Sequence, residues 1–228
     1  TSSTLAVTPA NLRNDYRPGW VLPDISASTA VTSTGTTFVS PSGFNLRLTA
    51  TASGQYAIRY LGTFNLTVLG WSPGTSGAVL NYSRRFKLAG LAFITSPSNP
   101  VVYRIKFGQS GNPTGPGDLS TKGVGIRIDG SSALELQVHD GSTLTNVSSS
   151  FTPTTSQPFR FLIDSDGAGN VSLLIDSGSG FTEVATSTAG PTGSSSNYPL
   201  AMAEVESTAT FGGVSSFLTV HQLSYFAE

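Results

Sequence analysis

Cysteine is absent from this chain of 228 residues. That excludes disulfides, removes the usual structural zinc ligand sets and argues against a small disulfide-stapled secreted domain. Charge is scarce: 11% of residues are Asp, Glu, Lys or Arg, against roughly 25% in an average globular protein. The formal net charge is -1, so the chain as a whole is not drawn to nucleic acid or to an anionic membrane surface. No window approaches about 18 apolar residues, which excludes a membrane-spanning helix. Helix signals are nearly missing too. No window of about 11 residues keeps an i, i+3, i+4, i+7 apolar stripe free of Gly, Pro or β-branched runs. No fixed-period repeat marks a propeller or a solenoid.

What is present suffices for a core. Hydrophobic residues make up 38% and aromatics 10%, so this is not a polar disordered tract. Twenty-five glycines and 13 prolines supply turns. A Cys-free surface rich in Ser, Thr and Gly and poor in Lys fits a bacterial surface protein or a viral particle protein better than a cytosolic one.

The clearest element is Pro158 to Asp176, PFRFLIDSDGAGNVSLLID. Phe159, Phe161 and Ile163 alternate with Arg160, Leu162 and Asp164, and Val171, Leu173 and Ile175 alternate with Ser172, Leu174 and Asp176. Two runs of period two around an Asp/Gly/Asn turn predict a hairpin. Leu162 and Leu174 fall on the face opposite Phe161 and Leu173, a face that antiparallel sheets usually leave to water. They are candidate interface residues, to be covered by an N-terminal arm or by a second subunit.

Other alternating runs start at Phe44, Tyr56, Val101, Val124 and Leu134, and Leu200 to Val205 and Phe217 to Phe226 close the chain. Ala78 to Ile94 reads as one or two strands around Arg84-Arg85. Asp129-Gly130 and Asp140-Gly141 mark turns. Strands broken by turns every 8 to 12 residues, roughly, predict an all-β sandwich or barrel. Residues 1–35 read as an irregular N-terminal arm or set of loops, and 36–228 as a single β-sandwich domain. The strongest internal break is Trp71 to Gly77, so the alternative places a boundary near 71–77 with 78–228 as the sandwich proper.

The segment from Arg85 to Phe226 resembles the concanavalin A-like lectin/glucanase superfamily, which includes laminin-G-like domains. The likeness is carried by FKLAGLAFIT, VVYRIKFG, GVGIRID, ALELQVHDG, PFRFLIDSDGAGNVSLLID and the closing FLTVHQLSYF. The resemblance implies a two-sheet antiparallel jelly-roll sandwich whose last strand returns beside the first. It implies no particular activity, because the fold hosts lectins, glycosidases, lyases, adhesins and viral structural modules.

Catalytic patterns fail when tested. Glycosidases of that superfamily carry E-x-D-x-E or E-x-D-x-x-E on one strand, where alternation puts the carboxylates on one face. The nearest stretch runs from Glu135 to Asp140, where Glu135, Gln137 and His139 share a face but Gln137 stands in for the middle acid. Glu204 and Glu206 share another face without a third partner. No G-x-S-x-G elbow accompanies His139 or His221. No catalytic residue is assigned and no enzyme is expected.

The other candidates are ligand sites. Asp164, Asp166 and Asn170 fall in one turn and offer three hard oxygen ligands, which makes calcium the candidate metal and plain turn chemistry the bland alternative. Asp118 and Asp129 are lesser candidates. Trp71, Tyr198 and Trp20 stand in or near loops, where an aromatic could stack on a sugar or plug the core. Arg47, Arg59, Arg104, Lys106 and Arg127 lie on polar strand faces and read as a solvated, paired surface. No cofactor is expected.

These readings give a non-enzymatic surface or virion structural and adhesion module of viral-fibre or capsid-decoration type. It is expected at a cell surface, in a virion or outside the cell. It would pack as a homo-oligomer or with other particle proteins, with glycan as its candidate ligand and no nucleic acid. A carbohydrate-active enzyme of glucanase or lyase type and a secreted soluble lectin are the alternatives.

Overall fold

The ribbon from Phe159 to Asp176 folds as its alternation predicts. Phe161 pairs with Ile175, Leu162 with Leu174 and Ile163 with Leu173. Phe159, Phe161, Ile163, Val171, Leu173 and Ile175 are all buried, while Arg160 is exposed and Leu162 and Leu174 are half-buried. The turn is closed by Asp166 N–H donating to Asn170 O at 3.2 Å. Gly167 and Gly169 sit at φ of 80° and 96°, the left-handed region that glycine enters without steric cost. A Cβ on Gly167 would also come within 2.7 Å of Ser83 O.

The structure, a computed structural model, describes residues 20–21, 30–32, 36–40, 43–48, 53–63, 81–95, 100–109, 115–130, 132–194, 200–209 and 216–227. Fifteen strands are present and no helix among the described residues. In chain order they are β1 (Trp20–Val21), β2 (Ala30–Thr32), β3 (Thr36–Ser40), β4 (Gly43–Leu48), β5 (Tyr56–Thr63), β6 (Phe86–Thr95), β7 (Val101–Gln109), β8 (Gly123–Asp129) and β9 (Glu135–His139), then β10 (Leu144–Ser148), β11 (Phe159–Ser165), β12 (Val171–Asp176), β13 (Thr182–Ser187), β14 (Leu200–Ser207) and β15 (Ser216–Ala227).

They form two antiparallel sheets. One has eight strands, in the order β13-β12-β11-β6-β15-β4-β3 with β1 also on β15. The other has seven, in the order β10-β9-β8-β7-β14-β5-β2. The long β15 returns beside β6, as the resemblance implied. Residues 216–221 of β15 pair with β4, and Tyr225 and Phe226 pair with β1. Two short strands from residues 1–35 thus lie in the sheets, β1 in one and β2 in the other. β3, β4 and β5 share both sheets with the strands that follow residue 85.

The core lies between the sheets. The eight-stranded sheet contributes Leu88, Ala92, Ile94, Phe161, Ile163 and Leu173. The seven-stranded sheet contributes Tyr103, Ile105, Phe107, Val124, Ile126, Leu136 and Val138. The alternation that buries these side chains sends their neighbours outward. What the second sheet sends outward is the candidate site.

Candidate functional site: the polar face of the seven-stranded sheet

On β7, Tyr103, Ile105 and Phe107 enter the core, so Arg104 and Lys106 point away from it. On β14, Ala203 and Val205 enter the core and Glu204 and Glu206 point away. Register brings these groups together: Glu204 lies opposite Arg104, and Arg104 lies opposite Arg127 of β8. Arg127 lies opposite Glu135 of β9. Like charges directly opposed across a strand pair repel. The two arginines therefore need anions, and the fold supplies several.

Arg104 Nη1 donates to Glu206 Oε2 at 2.7 Å and lies 3.6 Å from Glu204 Oε2. Arg127 bonds Glu135 at 2.7 Å and Asp129 at 2.6 Å. Between the two arginines sits Asp118, which no strand carries. Its Oδ1 accepts from Arg104 Nε at 2.7 Å and lies 3.5 Å from Arg127 Nε. Lys106 forms an ion pair with Glu204 Oε1.

Asp118 belongs to a strap, residues 115–119, that crosses this face. Lys106 Nζ donates to Gly117 O, and Gly117 N–H donates to Glu204 Oε2 at 3.2 Å. Leu119 is buried, and its Cδ2 lies where a Cβ on Gly123 would come within 3.2 Å. The strap is why outward-facing charge is dry here: Glu204 is 0% exposed, Lys106 2% and Arg104 6%. The expected pairing is observed for Arg104, Lys106 and Arg127, and the expected solvation fails at Arg104 and Lys106. Arg47 is exposed on β4 of the other sheet, and the side chain of Arg59 lies outside the described residues. Alternation fixes which way a side chain points, and a segment far along the chain decides whether water meets it.

Burial sets the electrostatics. It raises Glu204 above the ordinary carboxylate value, with Lys106 and Arg104 opposing the shift without cancelling it. It lowers Lys106 against the pull of Glu204. Burial would raise Asp118 as well, but the hydrogen bond and charge of Arg104 hold it below its ordinary value, with a hydrogen bond from the Gln137 side chain and the charge of Arg127 adding to the effect.

The sequence-selected residues find definite places. Glu135 is paired with Arg127, Gln137 Nε2 donates to Asn146 Oδ1 at 3.1 Å, and His139 Nδ1 accepts from Gly141 N–H at 3.0 Å. They share one face, as expected, and none is a free acid beside a second one. Glu204 and Glu206 share a face without a third acid beside them, and are paired instead with Lys106 and Arg104 of β7, about a hundred positions earlier in the chain.

In the β11–β12 turn, Asp166 accepts from Ala168 N–H at 2.7 Å and from Asn170 N–H at 3.1 Å, and Asn170 Nδ2 also donates to it. Asp164 lies on the sheet, 3.1 Å from Arg85 and 3.0 Å from Lys87. The three candidate calcium ligands are thus held by protein partners. Among the described residues no group of three or more His, Asp or Glu could hold a metal.

Trp71 and Tyr198 lie outside the described residues, as does the side chain of Trp20. Tyr82, another loop aromatic, plugs the core: it is 1% exposed, with its hydroxyl donating to Lys122 O at 3.0 Å. Sequence reasoning missed the strap. Asp118 was legible only as a lesser metal candidate, because nothing local to it announces two arginines from different strands.

No family profile and no curated protein matches the sequence. Solved structures do match the fold. The protein of unknown function SO2946 from Shewanella oneidensis MR-1 superposes with a TM-score of 0.60 at 12% identity, covering 100% of this chain and 96% of that one. The carbohydrate recognition domain of Emp47p gives 0.60 at 12% identity, covering 91% and 94%. The lectin UEA-II, complexed with galactose, gives 0.54 at 8% identity, covering 91% and 95%. The chain spans only 44% of the longer botulinum neurotoxin serotype C1 binding domain, which it also matches. At these identities the likeness is one of fold: an all-β jelly-roll sandwich of the kind lectins use.

Proposed function

We propose that this chain is a non-enzymatic glycan-binding module of a surface or particle protein, placed at a cell surface, outside the cell or in a virion, and packed against other subunits. One observation carries the glycan part. The chain follows the architecture of a carbohydrate recognition domain and a galactose-complexed lectin over 91% of its length. The non-enzymatic part is supported by the polar face, where each outward carboxylate is paired with a cation and Glu204 is sealed from solvent. A general acid must reach its substrate. The proposed stacking groups are Trp71, Tyr198 and Trp20. The proposed packing surface includes Leu162 and Leu174.

A glycan array read with and without EDTA, paired with light scattering, tests this reading. Binding that weakens in Trp71→Ala or Tyr198→Ala and survives in Glu135→Gln supports it, and loss with EDTA would bring calcium into the site. Cleavage of a polysaccharide that disappears in Glu135→Gln would replace it with the enzymatic alternative. A clean monomer at tens of micromolar would remove the packing part.

A further inference from the structure

The strap over the seven-stranded sheet leaves hydrogen-bonding capacity unused beneath it. Gln137 is 0% exposed, yet its Oε1 has no hydrogen-bond partner. The Nε of Arg127 is buried too, and makes no closer contact than its 3.5 Å ion pair with Asp118 Oδ1. The first is an acceptor with nothing to accept, the second a donor held only loosely by the strap, and both belong to strands next to it. Unmet buried polar atoms are costly and uncommon in folded proteins.

The floor between them is built from glycine. Gly125 lies opposite Lys106 on one side and opposite Gln137 on the other. Adjacent strands are about 4.8 Å apart, so the Lys106 and Gln137 backbones stand about 10 Å apart. Only Gly125 lies between them, and the Lys106 side chain leans over it, its Cγ 3.5 Å from where a Cβ on Gly125 would lie. Gly123 extends the same floor, and Leu119 of the strap rests over it. Two opposed arginines complete the site, and they are bridged by a carboxylate that arrives from outside the sheet, that of Asp118.

We infer that residues 115–119 act as a displaceable internal ligand, and that the cleft they occupy takes a sugar acid. The sugar carboxylate replaces that of Asp118 between Arg104 and Arg127. A ring hydroxyl donates to Gln137 Oε1, and the ring lies over Gly123 and Gly125. Two guanidinium groups select a carboxylate by paired charge-assisted hydrogen bonds. Gly117 bears no side chain and meets no neighbour within 4 Å of a Cβ built there, so the strap is held by its charged contacts and by Leu119 rather than by packing at its centre. The choice of a sugar rests on the glycan-binding reading; the site is separate from the aromatics proposed there.

The test is calorimetric titration of the wild type and Asp118→Asn with glucuronate and galacturonate, alongside glucose and galactose. Removing the internal carboxylate is expected to strengthen binding of the acidic sugars about tenfold or more and to leave the neutral sugars unchanged. A second measurement uses the wild type alone: saturating glucuronate should accelerate hydrogen exchange at the Gly117 amide, which the strap bonds to Glu204. A folded Asp118→Asn protein with no gain for the acids overturns the inference, as does unchanged protection of Gly117 at saturation. Array binding of neutral glycans with neither effect overturns the inference while sparing the proposed function. Tightened glucuronate binding with a blank array does the reverse.

Discussion

The two outward faces of this sandwich are built on opposite principles. On β6, β11 and β12 of the eight-stranded sheet, Leu162 lies between Leu174 and Ala89, and Leu91 faces the exposed Arg160; Leu162, Leu174, Ala89 and Leu91 are apolar and half-buried. Asp164 meets Arg85 and Lys87 there at partly exposed positions. Across the seven-stranded sheet, eight charged residues are woven into one network, and its most central members are nearly dry. In a chain with so few charges, such concentration is informative. Exposed ion pairs contribute little, whereas a buried charge without its partner costs several kcal/mol. The first face tolerates change, and the second does not.

The largest single-site loss is expected inside the sandwich. Phe161→Ala should cost about 3–5 kcal/mol in urea unfolding, because the ring is fully buried and meets the β6 backbone at Gly90. Leu162→Ala, one position along and on the outer face, should cost about 1 kcal/mol or less. Equal losses would mean that the outer leucines are covered in solution.

Acid gives a smaller, graded effect. Asp118 is held below its ordinary value by Arg104 against the effect of burial. Asp140 is lowered to about 2 by hydrogen bonds from the Thr143 and Ser142 backbone, and Asp166 and Asp176 are lowered within their turns, by Asn170 and by the Gly178 backbone respectively. A carboxyl depressed in the folded state favours folding above its unfolded value, about 3.9, and loses that contribution as pH falls toward its folded value. Glu204, raised by burial, works in the opposite direction. The melting temperature should fall as pH drops from about 4 to 2, and Asp118→Asn and Asp140→Asn should each make the fall shallower. A flat profile would contradict the assigned pairing. Smallest of all, Arg160→Ala should change stability by less than about 0.5 kcal/mol, since Arg160 is 65% exposed and 3.7 Å from Asp176. A larger loss would show that the margin of the apolar face is not solvated.

The sequence carried the fold further than the site. Alternation in Phe159 to Asp176 predicted the hairpin, its turn and its buried set, because period two and a Gly/Asp/Asn turn are local signals. β10 went unread, since LTNVS at a sheet edge packs only Val147 against the core and leaves Thr145, Asn146 and Ser148 polar. Ala78 to Ile94 looked divisible at Arg84-Arg85, but a tight turn at Asn81 to Arg84 precedes one unbroken strand from Phe86. The polar face was legible only in halves. Spacing showed that Glu135, Gln137 and His139 share a side, as do Glu204 and Glu206. It could not show that β7 lies between β8 and β14, or that a segment with Gly115, Gly117 and Asp118 lies over all three strands. Those facts are tertiary.

With residues 115–119 in place, charge on the seven-stranded sheet is sealed from water and mutually dependent. Urea unfolding of Lys106→Met, Glu204→Met and the double variant tests it most directly. Each single change should cost about 3–5 kcal/mol by stranding a buried partner, and the double should cost at least about 2 kcal/mol less than the two losses combined. Small and additive losses, under about 1 kcal/mol each, would show that water reaches this face and would contradict the account.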